Sequence, residues 1–305
     1  MAGNHSECIK GTIHNGTPQG KEEMLHGLNT YVIGNRTNPR AIIVMYSDIF
    51  GLLLPNNKLI ADRSVHTPIP LPPNPHQSLT DPFLLSYAKS GDYLIYLPDF
   101  FKGDAVGLRL ADLLIPVDAA KQSTLGKYTG LLASGPSFMM WMGRHKAGPT
   151  DDICQDFLRK LRRATPAGRK IGMVGFCWGG KYAIRAGLEA SMIEDDGAKR
   201  PLVDAVVALH PSNLVLPTDV EAPVVPMTFG WGQEDSQVSI ETKGKVEGIH
   251  AGDKKAGKVV PEMVHKVYKP GRHGFAVRGN PDDAQERKCL EDSTTQVLEW
   301  FGKYL

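Results

Sequence analysis

The chain has 305 residues, a net charge of +2 at neutral pH and an ordinary globular composition, with 41% hydrophobic and 22% charged residues. This charge balance gives no argument for a nucleic-acid partner or an anionic membrane surface. Because no apolar stretch is long enough to span a bilayer and the first residues lack the apolar core of a signal peptide, we expect a cytoplasmic protein.

Short apolar runs alternate with helical periodicity along the chain. The apolar runs predict strands at residues 30–34, 41–46, 92–97, 172–176, 203–209, 224–229 and 264–268. The periodicity predicts helices at about 56–64, 82–90, 151–163, 179–191, 236–250 and 283–304. This alternation predicts an α/β fold with a mostly parallel central sheet and helices on both faces. With no internal repeat and no long linker, we expect a single domain over residues 1–305.

Two segments disturb the alternation. Residues 63–81 contain five prolines, too many for a helix or a central strand, and we expect an ordered surface insertion there. Residues 102–149 are weakly periodic and contain a run of phenylalanine, methionine and tryptophan at 138–142. Such a cluster is usually core packing. Here the segment follows a strand end, where α/β sites open. We therefore favour a cap that lines a substrate pocket, rather than core packing, and Trp141 is the candidate substrate contact in that cap.

One turn in the sequence predicts a reactive cysteine. The segment Gly175–Gly180 follows a buried-strand pattern, precedes a helical one, and has the G-x-C-x-G spacing of a nucleophile elbow with cysteine in place of serine. The glycines make room for a sharp strand-to-helix turn. A helix N-terminus beneath the sulfur of Cys177 favours the thiolate, which is the nucleophilic form.

The other three cysteines have no such context. Cys8, Cys154 and Cys289 are scattered and form no C-x-x-C pair, which argues against a zinc site or a disulfide framework. The glycines at 175, 179 and 180 do not make the G-x-G-x-x-G of dinucleotide sites, and no clustered ligands suggest a metal. We therefore expect no cofactor and no metal. The oligomeric state stays open.

A cysteine nucleophile needs a base, and the base needs an orienting acid. In α/β-hydrolases the chain order is nucleophile, acid, histidine. Asp235 lies in a loop after a late strand and is the best candidate acid, with Glu234 as its competitor. His273 lies in a loop with flanking glycines after the last strand and is the candidate base. His210, which also ends a strand, is the alternative, although a lone histidine is more often structural or exposed.

An oxyanion formed at the substrate carbonyl needs two fixed N–H donors. In nucleophile-elbow enzymes one comes from the residue after the nucleophile and the other from an early strand-end loop. Here these are the backbone amides of Trp178 and of Ile49, which lies in the loop Tyr46–Gly51. Two such donors lower the activation barrier by several kcal/mol, on the order of 3–4 kcal/mol each.

Taken in order, these motifs resemble the dienelactone hydrolase (carboxymethylenebutenolidase) family. The resemblance runs from about residue 41 to the C-terminus, and residues 8–18 are similar to the start of the fungal branch. The most specific motif is Gly175–Gly180. It is accompanied by Asp48–Gly51, Leu97–Asp104, Asp235 with Val238, and His273–Phe275.

The resemblance implies an α/β-hydrolase fold and a Cys-His-Asp triad. By this resemblance, Cys177 would attack a lactone or ester carbonyl, and water would then cleave the thioester. His273 would act as base and then acid, and Asp235 would orient His273. A family glutamate that helps to generate the thiolate corresponds to Asp48, whose side chain is one methylene shorter.

The resemblance leaves the substrate open. The bacterial family type binds its carboxylate substrate with an arginine four residues after the catalytic histidine, which here is Val277; Arg278 is either a substrate ligand or a surface residue. Arg109 is a weak match for a second arginine. Phe50 and Trp141 complete the candidate substrate-binding set. A hydrolase of another lactone, lactam or amide, in detoxification or secondary metabolism, is one alternative. A non-catalytic module that binds a ligand or senses oxidants through Cys177 is the other.

Overall fold

The structure is a computed structural model that describes residues 14, 16–63, 92–108, 135–195 and 197–305. The predicted helix at 82–90, nearly all of the proline-rich insertion and the middle of the cap segment lie outside the described residues. The division into domains therefore stays a prediction. No helix in the described ranges is both long enough and apolar enough to cross a membrane.

The strands of the described residues are β1 (Lys21–Leu25), β2 (Leu28–Gly34), β3 (Ala41–Tyr46), β4 (Tyr93–Pro98), β5 (Lys170–Phe176), β6 (Ile193–Asp195), β7 (Ala198–Arg200), β8 (Ala205–Leu209), β9 (Met227–Gly232) and β10 (Met263–Tyr268). Eight of them form one central sheet in the order β1-β2-β4-β3-β5-β8-β9-β10. The pairs β1–β2 and β2–β4 are antiparallel, and the remaining neighbours are parallel. Strands β6 and β7 form a separate two-stranded antiparallel hairpin.

Helices connect the parallel strands. Two short 3₁₀ turns, Gly51–Leu53 and Glu189–Ser191, accompany them, and residues 135–144 are also helical. The helices are α1 (Pro55–Arg63), α2 (Ala147–Ala164), α3 (Trp178–Ala186), α4 (Glu241–Lys255), α5 (Phe275–Arg278) and α6 (Ala284–Tyr304).

The central parallel strands are buried along their whole length. Every residue of β3, β8 and β9 is buried, as is all of β5 except Lys170. Strands covered on both faces have this continuous apolar pattern. The predicted fold class, a mostly parallel sheet surrounded by helices with α/β-hydrolase architecture, is confirmed.

Some element boundaries differ from the sequence prediction. Strand β9 begins at Met227 rather than at 224, because Pro226 has no N–H for the ladder. Helix α3 ends at Ala186, five residues before the predicted end at 191. Helix α4 begins at Glu241 rather than 236, because the amides of Gln237 and Val238 donate to the Asp235 side chain instead of entering a helix.

Three short strands were not predicted. Strand β1 (Lys21–Leu25) is mostly exposed at the sheet edge, so it lacks the apolar run by which the others were found. Strands β6 and β7 have three residues each, too few for a periodic pattern.

Glycines let the turn after β5 pack against the end of β3 at backbone distance. A Cβ on Gly179 would lie 2.3 Å from the Tyr46 carbonyl oxygen and 2.5 Å from that of Ser47. A Cβ on Gly175 would lie 2.5 Å from the Gly179 carbonyl oxygen. The Gly179 amide donates to the Ser47 carbonyl at 3.1 Å. The start of α3 is therefore fixed against the loop that follows β3.

We expect Gly179→Ala to destabilise the protein by about 1–3 kcal/mol, because the methyl group has only rigid backbone to displace. The measurement is urea-induced unfolding followed by circular dichroism. Gly248→Ala in helix α4 is the matched control, since a Cβ there meets nothing within 4 Å. That control should gain about 0.5–1 kcal/mol, the usual helical preference of alanine over glycine. Equal unfolding free energies for the two variants would contradict the packing argument.

Candidate active site

Cys177 occupies a strained turn between β5 and α3. Its backbone has φ 51° and ψ −115°, a region that non-glycine residues rarely adopt. The turn is held by the Cys177 amide, which donates to the Leu209 carbonyl, and by the Cys177 carbonyl, which accepts from the amides of Gly180 and Ser212. Strain that the surroundings maintain in this way is typical of functional sites.

The structure brings Cys177, His273 and Asp235 together in one hydrogen-bonded chain. His273 Nε2 lies 3.0 Å from Cys177 Sγ, and His273 Nδ1 lies 2.9 Å from both carboxylate oxygens of Asp235. The side chains of His273 and Asp235 are each only 2% exposed. This is the nucleophile–base–orienter geometry that acyl transfer requires. The catalytic role of each residue remains a prediction.

Two loops cross at backbone contact and bring Asp235 to His273. A Cβ on Gly232 would lie 1.8 Å from the Gly271 carbonyl oxygen, so only glycine fits at the crossing. The amides of Gln233 and Glu234 donate at 2.9 Å to the carbonyls of Tyr268 and Pro270. The loop after β9, which carries Asp235, is thus locked to the loop after β10, which carries His273.

Local hydrogen bonds orient the Asp235 carboxylate. Its Oδ1 accepts from the backbone amides of Gln237 at 2.8 Å and Val238 at 3.0 Å. Glu234, the competing acid, has a 54% exposed side chain whose ion pair is with Arg272. Of the two neighbouring carboxylates, only Asp235 contacts His273.

The electrostatics of the site favour a protonated His273. Burial by itself would lower the pKa of His273, but the negative charge of the Cys177 sulfur and the hydrogen bonds with Asp235 and Cys177 raise it to about 10. At neutral pH His273 is therefore an imidazolium, with both ring nitrogens able to donate.

His210, the alternative base, packs against His273, and in the described structure its ring nitrogens form no hydrogen bond to the sulfur of Cys177. Its buried ring is 5.3 Å from the His273 ring, centroid to centroid, in an edge-to-face arrangement. Neither of its ring nitrogens has a hydrogen-bond partner within the described part of the chain. Burial and the positive charges of His273 and Arg278 hold its pKa well below the usual value, so His210 is a neutral packing partner of the base.

The two predicted oxyanion-hole amides belong to segments that are fixed against each other. Trp178 begins α3, where the first amides have no intrahelical acceptor. Ile49 lies in the buried loop after β3, and its carbonyl accepts from Val106 at 2.8 Å. The bond from Gly179 to Ser47 joins these segments. The arrangement suits the proposed pair of donors, whose function is still a prediction.

Asp48 and Arg278 face each other in the buried part of the site. Arg278 is only 4% exposed, so the surface-residue alternative is wrong. Its guanidinium carbon lies 5.2 Å from the centre of the Phe50 ring, and its Nε lies 4.0 Å from Asp48 Oδ2. The Asp48 Oδ1 accepts from the Asn57 side-chain amide at 3.0 Å and from the Phe50 amide at 3.2 Å.

The expected contact between Asp48 and the sulfur is not formed. Among the described residues, the hydrogen bonds and ion pairs of the Asp48 carboxylate go to Phe50, Asn57 and Arg278, and none goes to Cys177. Burial raises the pKa of Asp48, an effect that Arg278, Asn57 and the Phe50 amide partly offset. A thiol-activating role for Asp48 remains a prediction without a direct contact to support it.

Trp141 lies beside the elbow. Its buried ring packs edge-to-face on Trp178 with a centroid distance of 5.1 Å and stacks on Phe138, and its Nε1 donates to the Asp104 carbonyl at 2.6 Å. This position next to the residue after the nucleophile is compatible with a pocket wall. The cap as a whole stays a prediction, and Arg109 lies outside the described residues.

One polar neighbour of Cys177 was not predicted from the sequence. The Ser212 hydroxyl lies 3.5 Å from Cys177 Sγ. The available signal was its place two residues after His210, at the carboxyl end of β8, the strand next to β5 in the sheet. Within the described ranges, no group of three or more histidine, cysteine, aspartate or glutamate side chains could hold a metal ion.

Comparisons with known proteins identify the family of the chain. The sequence model of the dienelactone hydrolase family matches residues 86–305. Hydrolase pyvD of Aspergillus violaceofuscus is 29% identical over 98% of this chain and 96% of its own length. Dienlactone hydrolase 1 of Gibberella moniliformis is 24% identical over 98% and 93%. A putative dienelactone hydrolase from Klebsiella pneumoniae shares the fold, with a TM-score of 0.53 and 16% identity over 91% of this chain and 93% of that one.

We expect the pKa of the His273 ring to be about 10 in the wild-type protein. Removing the sulfur charge with Cys177→Ala should lower that pKa, because burial would then be opposed only by Asp235. The measurement is an NMR titration of the ring Cε1 resonance. Titration of His273 at the same pH in both proteins would contradict the ion pair.

Proposed function

The chain belongs to the dienelactone hydrolase family and is therefore a hydrolase that acts on esters; we propose that it cleaves a lactone or small ester with Cys177 as its nucleophile. The observation that carries this proposal is the 3.0 Å contact between Cys177 Sγ and His273 Nε2, with Asp235 on the other ring nitrogen. A cysteine becomes a strong nucleophile when an adjacent base makes it a thiolate.

The first step is attack of the thiolate on the substrate carbonyl carbon. A carbon–sulfur bond forms and the carbonyl electron pair moves to oxygen, which the amides of Ile49 and Trp178 stabilise as a tetrahedral oxyanion. Removing one donor from such a hole typically raises the activation barrier by about 3–4 kcal/mol. The strained Cys177 backbone supports this step because it places the nucleophile in the sharp turn directly before Trp178.

The second step expels the alcohol. As the oxyanion collapses, the bond from carbon to the ester oxygen breaks and the Nε2 proton of His273 passes to that oxygen. With a lactone the alcohol stays attached to the acyl chain, so the ring opens and the whole substrate remains bound as a thioester. Asp235 keeps the ring oriented for this transfer through Nδ1.

The third step releases the acid. His273, now neutral, takes a proton from water as the water attacks the thioester carbonyl. Collapse of the second tetrahedral intermediate breaks the carbon–sulfur bond and returns Cys177 to the thiolate and His273 to the imidazolium. No cofactor enters any step.

Arg278, Phe50 and Trp141 are proposed to shape the substrate end of the site. Arg278 supplies a buried positive charge one helical turn after His273, and the Phe50 ring lies against its guanidinium. Asp48 neutralises part of that charge from 4.0 Å. We assign Asp48 the family's thiol-activating role only through this buried charge network, since its carboxylate does not contact Sγ.

We expect Cys177→Ala to lower kcat/KM for dienelactone and for p-nitrophenyl acetate by at least about 10³-fold, because the nucleophile is lost. Cys154→Ala is the matched control, because this buried thiol in α2 is not part of the hydrogen-bonded chain of Cys177, His273 and Asp235, and it should stay near the wild-type rate. The wild type, quenched in acid during turnover, should carry an acyl group on Cys177 that mass spectrometry detects. Wild-type rates in Cys177→Ala would overturn the proposal.

A second pair of variants tests the acid. Asp235→Asn should lower kcat on the order of 10³-fold, because the amide cannot stabilise the imidazolium in its reactive orientation. Glu234→Gln changes the adjacent carboxylate, which is exposed and does not contact His273, and should change kcat less than twofold. Steady-state kinetics on the same two esters checks both. Similar losses in the two variants would contradict the assignment of Asp235.

A further inference from the structure

We propose that Ser212 is a further catalytic residue of this site, whose hydroxyl donates a hydrogen bond to the Cys177 thiolate. The Ser212 Oγ lies 3.5 Å from Cys177 Sγ, within hydrogen-bonding range for sulfur. The inference rests on the proposed function in one respect: it takes Cys177 as the nucleophile.

The direction of this hydrogen bond follows from the neighbour of Ser212. The Asn213 side-chain nitrogen, which can only donate, lies 3.4 Å from Ser212 Oγ. The hydroxyl oxygen therefore accepts from Asn213, which leaves its proton for the sulfur. A thiolate has no proton to give, so Ser212 must be the donor of the pair.

Ser212 also fixes the backbone of the nucleophile. Its amide donates to the Cys177 carbonyl at 2.9 Å, so one residue contacts both the backbone and the side chain of Cys177. His210, two residues before Ser212, and Asn213, directly after it, have positive φ angles of 40° and 56°. This uncommon backbone turns the chain beyond β8 toward the elbow and places the hydroxyl at the sulfur.

Buried ion pairs hold this loop on the helix of the elbow. Lys181 in α3 donates from Nζ to the Asn213 carbonyl at 2.9 Å and lies 3.1 Å from an Asp219 carboxylate oxygen. Arg185, one turn later, pairs with the same fully buried carboxylate at 2.6 Å. Reactive groups work best when such supporting contacts fix their positions. Ser212 is thus placed by the same helix that begins at the nucleophile.

The thiolate needs a second partner because the expected one is engaged elsewhere. Asp48 bonds to Asn57 and Phe50, so in the described part of the chain the polar side-chain contacts of Sγ are His273 and Ser212. A neutral donor stabilises the thiolate without adding a charge. It acts in the resting enzyme and again when the thioester collapses and the sulfur leaves as a thiolate.

The test measures the thiolate directly, before any substrate is added. The rate of Cys177 alkylation by iodoacetamide is followed against pH, with the Cys177 peptide quantified by mass spectrometry. A hydrogen bond to a charged group is worth about one pH unit, so the midpoint for Ser212→Ala should lie about one unit above that of the wild type. Ser212→Thr, which keeps a hydroxyl, should restore the wild-type midpoint.

Two controls separate this effect from a packing defect. Ser293→Ala removes another buried serine hydroxyl, in α6 and bonded only within its helix, and should leave the midpoint unchanged. If Ser212→Ala does not fold, Ser212→Thr and Ser212→Val give the same contrast, because their side chains have nearly the same shape and differ in the hydroxyl. Overlapping alkylation profiles for the wild type and Ser212→Ala, or for Ser212→Thr and Ser212→Val, would overturn the proposal.

Hydrolysis of p-nitrophenyl acetate by the same proteins tells the two proposals apart. Ser212→Ala should lower kcat/KM about tenfold, the kinetic equivalent of one such hydrogen bond. If Cys177→Ala keeps the wild-type rate, the proposed function fails, whatever the alkylation profile. If Cys177→Ala is inactive while Ser212→Ala matches the wild type in both assays, only the role of Ser212 is rejected.

Discussion

The strained backbone of Cys177 is the constraint on which the site depends. An elbow with φ 51° is unfavourable in isolation, and three elements maintain it: β8 through Leu209, the loop after β8 through Ser212, and the loop after β3 through its bond to Gly179. Strands β3 and β8 are the two sheet neighbours of β5. The parallel sheet therefore positions the supports of the turn, and the loop after β8 also brings Ser212 to the sulfur.

The chain order of reactive groups could be predicted from the sequence because each lies in a short local pattern. Cys177 has its glycines, Asp235 has the turn to Val238, and His273 has the loop after the last strand. The competition between Asp235 and Glu234 could not be resolved from the sequence, because the two are adjacent and differ only in which way the locked loop points. Their exposures, 2% and 54%, depend on the loop crossing at Gly232.

Contacts between distant parts of the chain could not be predicted. Ser212 reaches Cys177 across neighbouring parallel strands, and Arg278 meets Asp48 from the opposite end of the sequence. Sequence periodicity carries no information about such pairs. A surface position for Arg278 and a substrate-binding one are therefore equally consistent with the sequence. The edge strand β1 was missed for a related reason: its residues are mostly exposed and carry no burial pattern.

The crossing of Gly232 over Gly271 has a consequence for how the enzyme can be redesigned. Because the two loops touch backbone to backbone, the positions of Asp235 and His273 relative to each other are fixed by contacts between the loops that follow β9 and β10. Loop grafts that replace only one of these segments would carry the wrong shape for its counterpart. The transferable unit for engineering is the pair of segments, from Gly232 to Asp235 and from Tyr268 to His273, moved together onto a scaffold whose elbow is left untouched.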